Sequence, residues 1–367
     1  MDFIKGFDVS SLAEVERCGG KFYDNGKPDD ALRILRVHGG NWVRLRLWND
    51  PYDQNGEDYG AGVCDLASVL SLARRAKAAG MEWLLDLHYS DFWADPGKQT
   101  VPKAWQGMDE SELEQAVYRY TRDVLCACRA ANVSPAMVQV GNELTGGLLW
   151  PTGQAPNWET ICRYVSAGVR AVREEAPGAE VMVHLDNGGN NALYRNWFDH
   201  YFQLGGECDI IGLSYYPFWH GSMEALEANM RDIAPRYGKD LVVVETSMGF
   251  TLASYAGRER LAEGERKGAA ATPELSAVLP FPMTPQGQAD FIARLMGIIR
   301  DVPGGRGRGF FWWEAGWIPV PGSGWAKRSG WEYVHEKGPE GNEWANQALF
   351  DFDGNALPAL DVIRDWQ

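Results

Sequence analysis

Eight short apolar runs, separated by segments with helical periodicity, constrain the fold of this 367-residue chain more than any other feature. The runs are rich in Val, Ile, Leu and aromatic residues and alternate little between apolar and polar positions. This pattern is typical of strands buried on both faces, as in a parallel sheet covered by helices. The eight runs span residues 3–9, 41–48, 82–89, 136–143, 180–186, 209–216, 240–247 and 307–314.

The segments between these runs predict helices. One of them begins at Asp65, a good N-cap residue, carries an apolar stripe through Ala73 and ends at Gly80, a good C-terminal stop. Eight strands with crossover helices predict a (β/α)8 TIM barrel with enlarged βα loops, and we expect residues 1–367 to form this single domain. An open doubly wound sheet is the alternative. Against it, no GxGxxG or GxxxxGKS/T motif follows the first strand.

Polar and aromatic residues gather at the C-terminal ends of the predicted strands, while the strand middles stay apolar. The active sites of (β/α)8 barrels lie at this end of the sheet. Any one of these residues could simply pair with a neighbour to satisfy its burial, but that explanation is weak for the whole set. The set comprises Arg44, Arg46, Asp86, His88, Asp91, Asn142, Glu143, His184, Asp186, Ser214, Tyr215, Tyr216, Glu245, Trp312, Trp313 and Glu314.

Two members of this set are glutamates that directly follow apolar residues. The stretch MVQVGNE ends at Glu143 on the fourth predicted strand, and LVVVETS carries Glu245 at the end of the seventh. These strand ends lie about opposite each other across the mouth of a barrel. Acid/base and nucleophilic chemistry requires one carboxyl group that holds a proton and a second that stays ionised. The two glutamates are therefore candidates for these two tasks.

Neighbouring strand ends offer groups that would set the charge of these carboxylates. We expect Arg46 to lie near Glu245 and to keep it ionised, and we expect Asn142 to supply hydrogen bonds. A tyrosine at the end of the sixth strand could orient the carboxylate of Glu245. Arg44 and Arg46 share one face of their strand by the period-two rule, and Arg46 is nearer the strand end. Which of these arginines contacts Glu245 stays open at this level.

Composition and terminal residues exclude several classes of function. The net charge of -15 disfavours binding to nucleic acid. No apolar run approaches the ~20 residues of a membrane span, so we expect no membrane partner. The first residues lack a basic region followed by an apolar one, which predicts a cytoplasmic protein if the chain is complete and a secreted one if a leader was removed. Six Cys without CxxC or Cys/His spacing predict reduced thiols.

Further segments stand in a fixed order along the chain. They are RLRLWNDP, LLDLHYSDFWADPGKQ, VGNELTGGLLWPTG, MVHLDNGG, GLSYYPFW, VVVETS, FFWWEAGWIP and NQALFDFDGNALPAL. Together they resemble glycoside hydrolase family 53, the endo-β-1,4-galactanases, from about Phe7 to the C-terminus. A single motif such as GNE is common, whereas the ordered set is specific and DLHYSDFWADP is nearly diagnostic.

The resemblance implies roles for individual residues. Glu143 matches the family's acid/base, Glu245 its nucleophile and Asn142 the residue that binds the sugar 2-hydroxyl. Trp313 matches a platform under the scissile sugar, and we place Arg46 in the same cleft. Further cleft positions by the same resemblance are His88, Asp91, Trp93, His184, Asp186, Tyr215 and Tyr216.

The implied activity is retaining hydrolysis of β-1,4-galactan, the backbone of pectic arabinogalactan type I. In that reaction Glu143 protonates the glycosidic oxygen and Glu245 forms a covalent galactosyl-enzyme. Two alternatives stay open: another barrel endo-glycosidase acting on mannan or glucan, and a sugar-binding barrel that has lost catalysis. Both glutamates and Asn142 are present, which argues against the second alternative.

The resemblance implies no redox or organic cofactor, and we expect no metal and a monomer. Bacterial members of the family often carry an acidic, His-containing calcium segment after the seventh strand. The corresponding loop here, residues 249–284, has no Asp-x-Asp step and interleaves its carboxylates with cations. Because calcium takes six to eight oxygen ligands, these cations disfavour a calcium site. Its charged residues are Arg258, Glu259, Arg260, Glu263, Glu265, Arg266, Lys267 and Glu274, with Asp351 and Asp353 as ligand candidates elsewhere.

Overall fold

The computed structural model describes residues 2–259, 272–338 and 341–366. Its strands are β1 (Ile4–Asp8), β2 (Phe22–Asp24), β3 (Lys27–Asp29), β4 (Trp42–Leu47), β5 (Glu82–Leu87), β6 (Met137–Val140), β7 (Glu180–Leu185), β8 (Ile210–Tyr215), β9 (Asp240–Thr246) and β10 (Gly307–Trp312). The eight long strands are parallel and close into a barrel in the order β1, β10, β9, β8, β7, β6, β5 and β4. The predicted (β/α)8 fold and all eight predicted strands are therefore confirmed. The antiparallel hairpin of β2 and β3 was not predicted, because its strands are short and largely polar.

Helices connect successive strands and cover the outside of the barrel. Asp65 caps α3 by accepting a hydrogen bond from the Ser68 amide, as predicted. Gly80 follows the same helix in a left-handed conformation with φ of 77°. No helix in the described ranges is long and apolar enough to cross a membrane. The helices are α1 (Leu12–Arg17), α2 (Ala31–Val37), α3 (Leu66–Ala78), α4 (Glu110–Ala130), α5 (Trp158–Glu175), α6 (Asn191–Gln203), α7 (Met223–Tyr237), α8 (Ala256–Glu259), α9 (Pro273–Ala277), α10 (Pro285–Arg300), α11 (Arg328–Tyr333) and α12 (Pro358–Asp365).

The inside of the barrel contains two layers of side chains. The layer near the N-terminal ends of the strands is apolar and comprises Ile4, Leu84, Met137, Met182, Ile210, Val242, Val244 and Phe311. The layer near the C-terminal ends is polar and buried, and it comprises Asp8, Arg44, Asp86, Gln139, His184 and Ser214. Buried polar groups need hydrogen-bond partners. The polar layer is accordingly a connected network, and it lies at the end of the barrel where the predicted site residues gather.

Strand β9 contains one residue more than the neighbouring strand β8. Leu213 pairs with Val243, whereas the next residue of β8, Ser214, pairs with Glu245, so Val244 is the extra residue of a β-bulge. Val244 packs in the apolar layer inside the barrel, and strict alternation would turn the following Glu245 outward. The bulge lets both side chains point inward. It therefore brings the Glu245 carboxylate into the polar layer beside Ser214.

Candidate active site

A cleft with a volume of about 490 Å³ opens at the C-terminal end of the barrel. Nine of the twelve residues predicted for the cleft line it, which shows that the strand ends do converge on one place. These nine are Arg46, His88, Trp93, Asn142, Glu143, Asp186, Tyr216, Glu245 and Trp313. The three predicted residues that do not line this cleft are Asp91, His184 and Tyr215, and His184 is instead fully buried in the polar layer.

Glu143 enters the cleft directly after β6. Its backbone is left-handed, with φ of 49° and ψ of 57°, a conformation that costs energy for a residue other than glycine and is concentrated at functional sites. The Ser214 hydroxyl lies 2.6 Å from Glu143 Oε1. Burial raises the pKa of this carboxyl well above its usual value, and the charges of Glu245 and Asp186 raise it further. Glu143 is thus suited to hold a proton near neutral pH.

Glu245 has a different set of neighbours. Arg44 Nη1 lies 2.8 Å from Glu245 Oε1, and the Tyr216 hydroxyl donates a hydrogen bond of 3.0 Å to Oε2. Ser214 Oγ lies 3.5 Å from the same Oε2. Burial raises the pKa of Glu245 and the charges of Asp86 and Asp8 add to the rise. The positive charge of Arg44 and the Tyr216 hydrogen bond oppose it, so the pKa is raised less than that of Glu143. This carboxyl is therefore the easier of the two to ionise.

The two carboxylates lie close enough for one hydroxyl group to reach both. Ser214 Oγ is 2.6 Å from Glu143 Oε1 and 3.5 Å from Glu245 Oε2. These two carboxylate oxygens are therefore at most the sum of the two distances apart, about 6 Å, which is below the roughly 6.5–9.5 Å of an inverting pair. The separation fits the shorter spacing of retaining glycosidases, which leaves no room for water between sugar and nucleophile.

The arginine beside Glu245 is Arg44, so the prediction that Arg46 would keep this carboxylate ionised is wrong. Arg46 donates instead to Glu314 Oε1 at 3.0 Å, and its guanidinium lies 4.2 Å from the ring centroid of Trp93. Both arginines point into the barrel, as their spacing predicted. Arg46 lies two residues closer than Arg44 to the C-terminal end of β4. Its partner, Glu314, lies just after the end of β10.

Arg44 is the centre of the polar layer. Its guanidinium contacts three carboxylates: Asp8 at 3.0 Å, Asp86 at 2.8 Å and Glu245 at 2.8 Å. Its Nε donates to Gln139 Oε1 at 3.2 Å. Sequence reasoning missed Asp8 and Gln139. Gln139 did carry a signal, because it is a polar residue in the middle of an apolar strand, where an unpaired amide would be costly.

Asn142 lines the same cleft as the two carboxylates and is held there by three hydrogen bonds. Its Oδ1 accepts hydrogen bonds from Arg44 Nη2 at 2.9 Å and from Gln139 Nε2 at 3.0 Å, and its Nδ2 donates to Ala94 O at 2.9 Å. These contacts fix which end of the amide is the donor. The Nδ2 group has a second hydrogen, which a sugar hydroxyl in the cleft could accept.

Asp91 and Tyr215 are corrections to the predicted site. Asp91 accepts hydrogen bonds from the backbone amides of Asp50 and Lys103 and from the Tyr333 hydroxyl, so it ties loops together. The Tyr215 hydroxyl donates to Gly221 O at 3.0 Å, away from the carboxylates. Successive strand residues face opposite sides, so Tyr215 points outward because Ser214 points inward.

Tryptophan side chains form one wall of the cleft. Trp93 stacks on Trp325 with ring centroids 4.7 Å apart, and Trp313 meets Trp344 edge to face at 4.8 Å. Trp219 lies at the rim, where half of its surface is exposed. Such rings suit the C–H faces of sugars. Sequence reasoning missed Trp219, Trp325 and Trp344, since no strand pattern links them to the barrel mouth.

Two predicted cleft residues, His88 and Asp186, make defined contacts around the carboxylates. His88 Nε2 lies 2.9 Å from Asp86 Oδ2, and burial lowers the pKa of this imidazole despite that neighbour. Asp186 accepts a hydrogen bond from the Thr145 hydroxyl. Burial raises the pKa of Asp186.

The loop considered for calcium lies partly outside the described residues, including Arg260, Glu263, Glu265, Arg266 and Lys267. In the part that is described, Arg258 forms an ion pair with Asp353. No group of three His, Cys, Asp or Glu side chains in the described ranges could hold a metal ion. The oxygen atoms of Asp353 are thus engaged by a cation of the protein itself.

A closed (β/α)8 barrel with two buried carboxyl groups whose facing oxygens are at most about 6 Å apart, beside a tryptophan-lined cleft, defines a glycoside hydrolase. Comparisons with known proteins agree. The family model Glycosyl hydrolase family 53 matches residues 4–363. The chain belongs to this family, which confirms the resemblance found in the sequence.

Individual relatives cover almost the whole chain. An endo-beta-1,4-galactanase of Bacillus subtilis (strain 168) is 38% identical over 99% of this chain and 86% of its own length. An arabinogalactan endo-beta-1,4-galactanase of Thermothelomyces thermophilus is 31% identical over 98% of each chain. The solved structure of the Ignisphaera aggregans GH53 catalytic domain superimposes with a TM-score of 0.91 at 40% identity, over 99% of this chain and 96% of that one.

Proposed function

We propose that this protein is a retaining endo-β-1,4-galactanase that cleaves β-1,4-linked galactan by double displacement. Its membership of family 53 and the names of its relatives support galactan as the substrate and do not favour mannan or glucan. The observation that carries the mechanism is the pair of buried carboxyl groups that one serine hydroxyl can reach. Their charge environments differ, which separates the two chemical roles.

In the first step, Glu245 attacks the anomeric carbon and Glu143 gives its proton to the leaving glycosidic oxygen. Arg44 and Tyr216 keep Glu245 ionised, because both interact with its charged form. Burial and the adjacent negative charges keep Glu143 protonated. The C–O bond to the leaving sugar breaks as the bond to Glu245 forms, which gives a covalent galactosyl-enzyme.

In the second step, Glu143 is ionised and takes a proton from water as the water attacks the anomeric carbon. Glu245 leaves as a carboxylate, and the net configuration is retained. Asn142 lies beside both carboxylates and offers a free amide hydrogen for the sugar 2-hydroxyl. Hydrogen bonds to this hydroxyl strengthen in the transition state.

A substrate panel tests the proposed function. Release of reducing ends is measured on unbranched β-1,4-galactan, mannan, xylan and cellulose, and NMR follows the anomeric proton of the first product. We expect cleavage of galactan with a β-configured first product. Cleavage of mannan or glucan in preference to galactan would contradict the substrate, and an α-configured first product would contradict the mechanism.

We further propose that the enzyme acts as a monomer, without a metal or cofactor, and binds neither nucleic acid nor membranes. Few large apolar side chains are exposed in the described ranges, which supports a monomer. The net charge of -15 supports the absence of nucleic-acid binding. The ion pair between Arg258 and Asp353 supports the absence of a calcium site there.

Thermal unfolding with EDTA tests the proposal about metal. We expect an unchanged melting temperature in excess EDTA, because Arg258 already pairs with Asp353, the carboxylate considered as a calcium ligand. Calcium added in excess should have no specific effect either. A large drop in melting temperature with EDTA that calcium reverses would contradict the proposal.

A further inference from the structure

Ser214 lies between the two carboxylates in an arrangement that the reaction described so far does not use. Its side chain is fully buried on the inner face of β8, and the bulge in β9 places it opposite Glu245. Ser214 Oγ is 2.6 Å from Glu143 Oε1, 3.5 Å from Glu245 Oε2 and 2.8 Å from His184 Nε2. One hydroxyl hydrogen thus has two carboxylates within its reach.

The tautomer of His184 decides where the serine hydrogen can go. His184 Nδ1 lies 3.4 Å from the backbone amide of Glu143, which can only donate, and 3.0 Å from Asn142 Oδ1, which can only accept. The nearby Asn142 Oδ1 already accepts from Arg44 and Gln139. Nδ1 is therefore an acceptor and Nε2 carries the hydrogen, which it donates to Ser214 Oγ.

Because Ser214 accepts from His184, its own hydrogen is available only to a carboxylate. The two carboxylates depend on it to different degrees. Glu245 also has Arg44 and Tyr216 as partners. Within the described part of the chain, Ser214 is the only side chain that hydrogen bonds to the Glu143 carboxylate. A buried carboxylate without a donor is costly, so an ionised Glu143 needs this serine.

The negative charge changes place during the double displacement. Glu245 carries it in the free enzyme, and Glu143 carries it in the galactosyl-enzyme, where Glu245 is an ester. We propose that Ser214 is a positioning residue whose hydroxyl turns its hydrogen bond from Glu245 to Glu143 when the charge moves between them. Only rotation about the Cβ–Oγ bond is needed, and no proton leaves the serine. This inference rests on the proposed function.

The Ser214 substitution changes none of the other charged and titratable groups that face the carboxylates. Around Glu143 they are Asp95, His184, Asp186 and Glu245, and around Glu245 they are Asp8, Arg44, Asp86 and Tyr216. A change in the pH dependence of a Ser214 variant therefore reports the loss of the hydroxyl, provided that the fold is intact.

The test compares the wild type with Ser214→Ala on a dinitrophenyl glycoside of β-1,4-galactobiose, whose good leaving group makes the second step limiting. Loss of a donor raises the pKa of whichever carboxylate is ionised. We expect the acid limb of kcat, which reports Glu143 in the galactosyl-enzyme, to move up by about one pH unit. The acid limb of kcat/KM, which reports Glu245, should move up by less. The second step should slow on the order of tenfold, so that galactosyl-enzyme accumulates in acid-quenched samples analysed by mass.

Two further variants distinguish the effect of losing the Ser214 hydrogen bond from the effect of altered side-chain packing. Ser214→Cys keeps the shape of the side chain with a weaker donor, and we expect both acid limbs to move in the same direction as in Ser214→Ala. This variant carries the test if Ser214→Ala does not fold. Ser247→Ala is the matched control, because Ser247 is equally buried near Glu245 but donates to Gln347 Oε1 at 2.6 Å. We expect its pH limbs to match those of the wild type.

The outcomes distinguish this inference from the proposed function. If acid-quenched wild type carries no galactosyl adduct, the double displacement itself is wrong and the role of Ser214 falls with it. If the wild type carries the adduct but a folded Ser214→Ala or Ser214→Cys enzyme leaves both acid limbs unmoved, the proposed function stands and the positioning role of Ser214 is overturned. A uniform loss of kcat with unmoved limbs would likewise indicate a structural role.

Discussion

Glu143 and Glu245 end two strands of the same barrel, and they are almost equally buried, at 8% and 6% exposure. Their partners differ. Glu245 meets the guanidinium of Arg44 and the hydroxyl of Tyr216. Glu143 meets Ser214 and otherwise faces further negative charge. Similar burial therefore gives the two carboxyls different tendencies to hold a proton, because the neighbouring groups differ in charge.

Substitution of each glutamate by glutamine should give the largest effects and test the comparison most directly. Glu245→Gln should lower kcat/KM by roughly 10⁴-fold or more on every substrate, because no nucleophile remains. Glu143→Gln should lower galactan cleavage by roughly 10²–10⁴-fold, yet spare formation of the galactosyl-enzyme from a dinitrophenyl glycoside. Stopped-flow measurement of the dinitrophenol burst checks both expectations.

The pH dependence of Glu143→Gln sharpens the same assignment. Wild-type kcat/KM should fall as the pH rises through the raised pKa of Glu143, because the acid loses the proton it must donate. With a dinitrophenyl glycoside, Glu143→Gln should lose this alkaline limb and keep the acid limb of Glu245. If Glu143→Gln and Glu245→Gln respond alike to the leaving group and to pH, the assignment of Glu143 as acid/base and Glu245 as nucleophile is wrong.

Arg44→Lys should have the next largest effect. Lysine keeps the positive charge, but its single ammonium group cannot contact Asp8, Asp86 and Glu245 together as the guanidinium does. We expect kcat/KM to fall roughly tenfold to a hundredfold and its acid limb to move to higher pH, because the ionised form of Glu245 loses support. The pH profile of kcat/KM is the measurement.

Arg46→Lys is the matched comparison, because Arg46 lies two residues away on the same face and pairs with Glu314. It should leave the acid limb where it is in the wild type, even if substrate binding weakens. An equal movement of the limb in both variants would contradict the assignment of Arg44 as the partner of Glu245.

Tyr216→Phe should have the smallest effect of the three. It removes one hydrogen bond of 3.0 Å to Glu245 Oε2 while the contact with Arg44 remains. We expect the first step to slow roughly tenfold, which is about 1.4 kcal/mol, the lower end of what a hydrogen bond to a charged group contributes, because Arg44 still supports the carboxylate. Single-turnover kinetics measure that step separately.

Tyr215→Phe controls for the loss of a buried tyrosine hydroxyl in the same segment. Tyr215 donates to Gly221 O, outside the cleft, so its loss should cost about 1 kcal/mol of folding free energy and leave the kinetics unchanged. Urea denaturation and the same single-turnover assay check this. Equal kinetic losses in the two variants would remove the evidence that Tyr216 acts through Glu245.

Much of the fold and site could be predicted from local sequence patterns. Strands buried on both faces are continuous apolar runs, so each barrel strand was visible without any knowledge of its neighbours. Glu143 and Glu245 stood out because a carboxylate directly after such a run is expensive to bury. The end of the barrel at which they meet followed from the parallel arrangement of the strands.

The tertiary structure alone decided which side chains contact these glutamates. Arg44 rather than Arg46 reaches Glu245, and this choice depends on the stagger of distant strands around the barrel. Glu245 itself points inward only because Val244 forms a bulge against β8. The single-strand pattern LVVVETS contains no sign of that extra residue. A strand's sequence records the burial of its own side chains, whereas register and bulges arise from pairing with another strand, so the sequence determined the two carboxylates and only the assembled barrel decided their unequal surroundings.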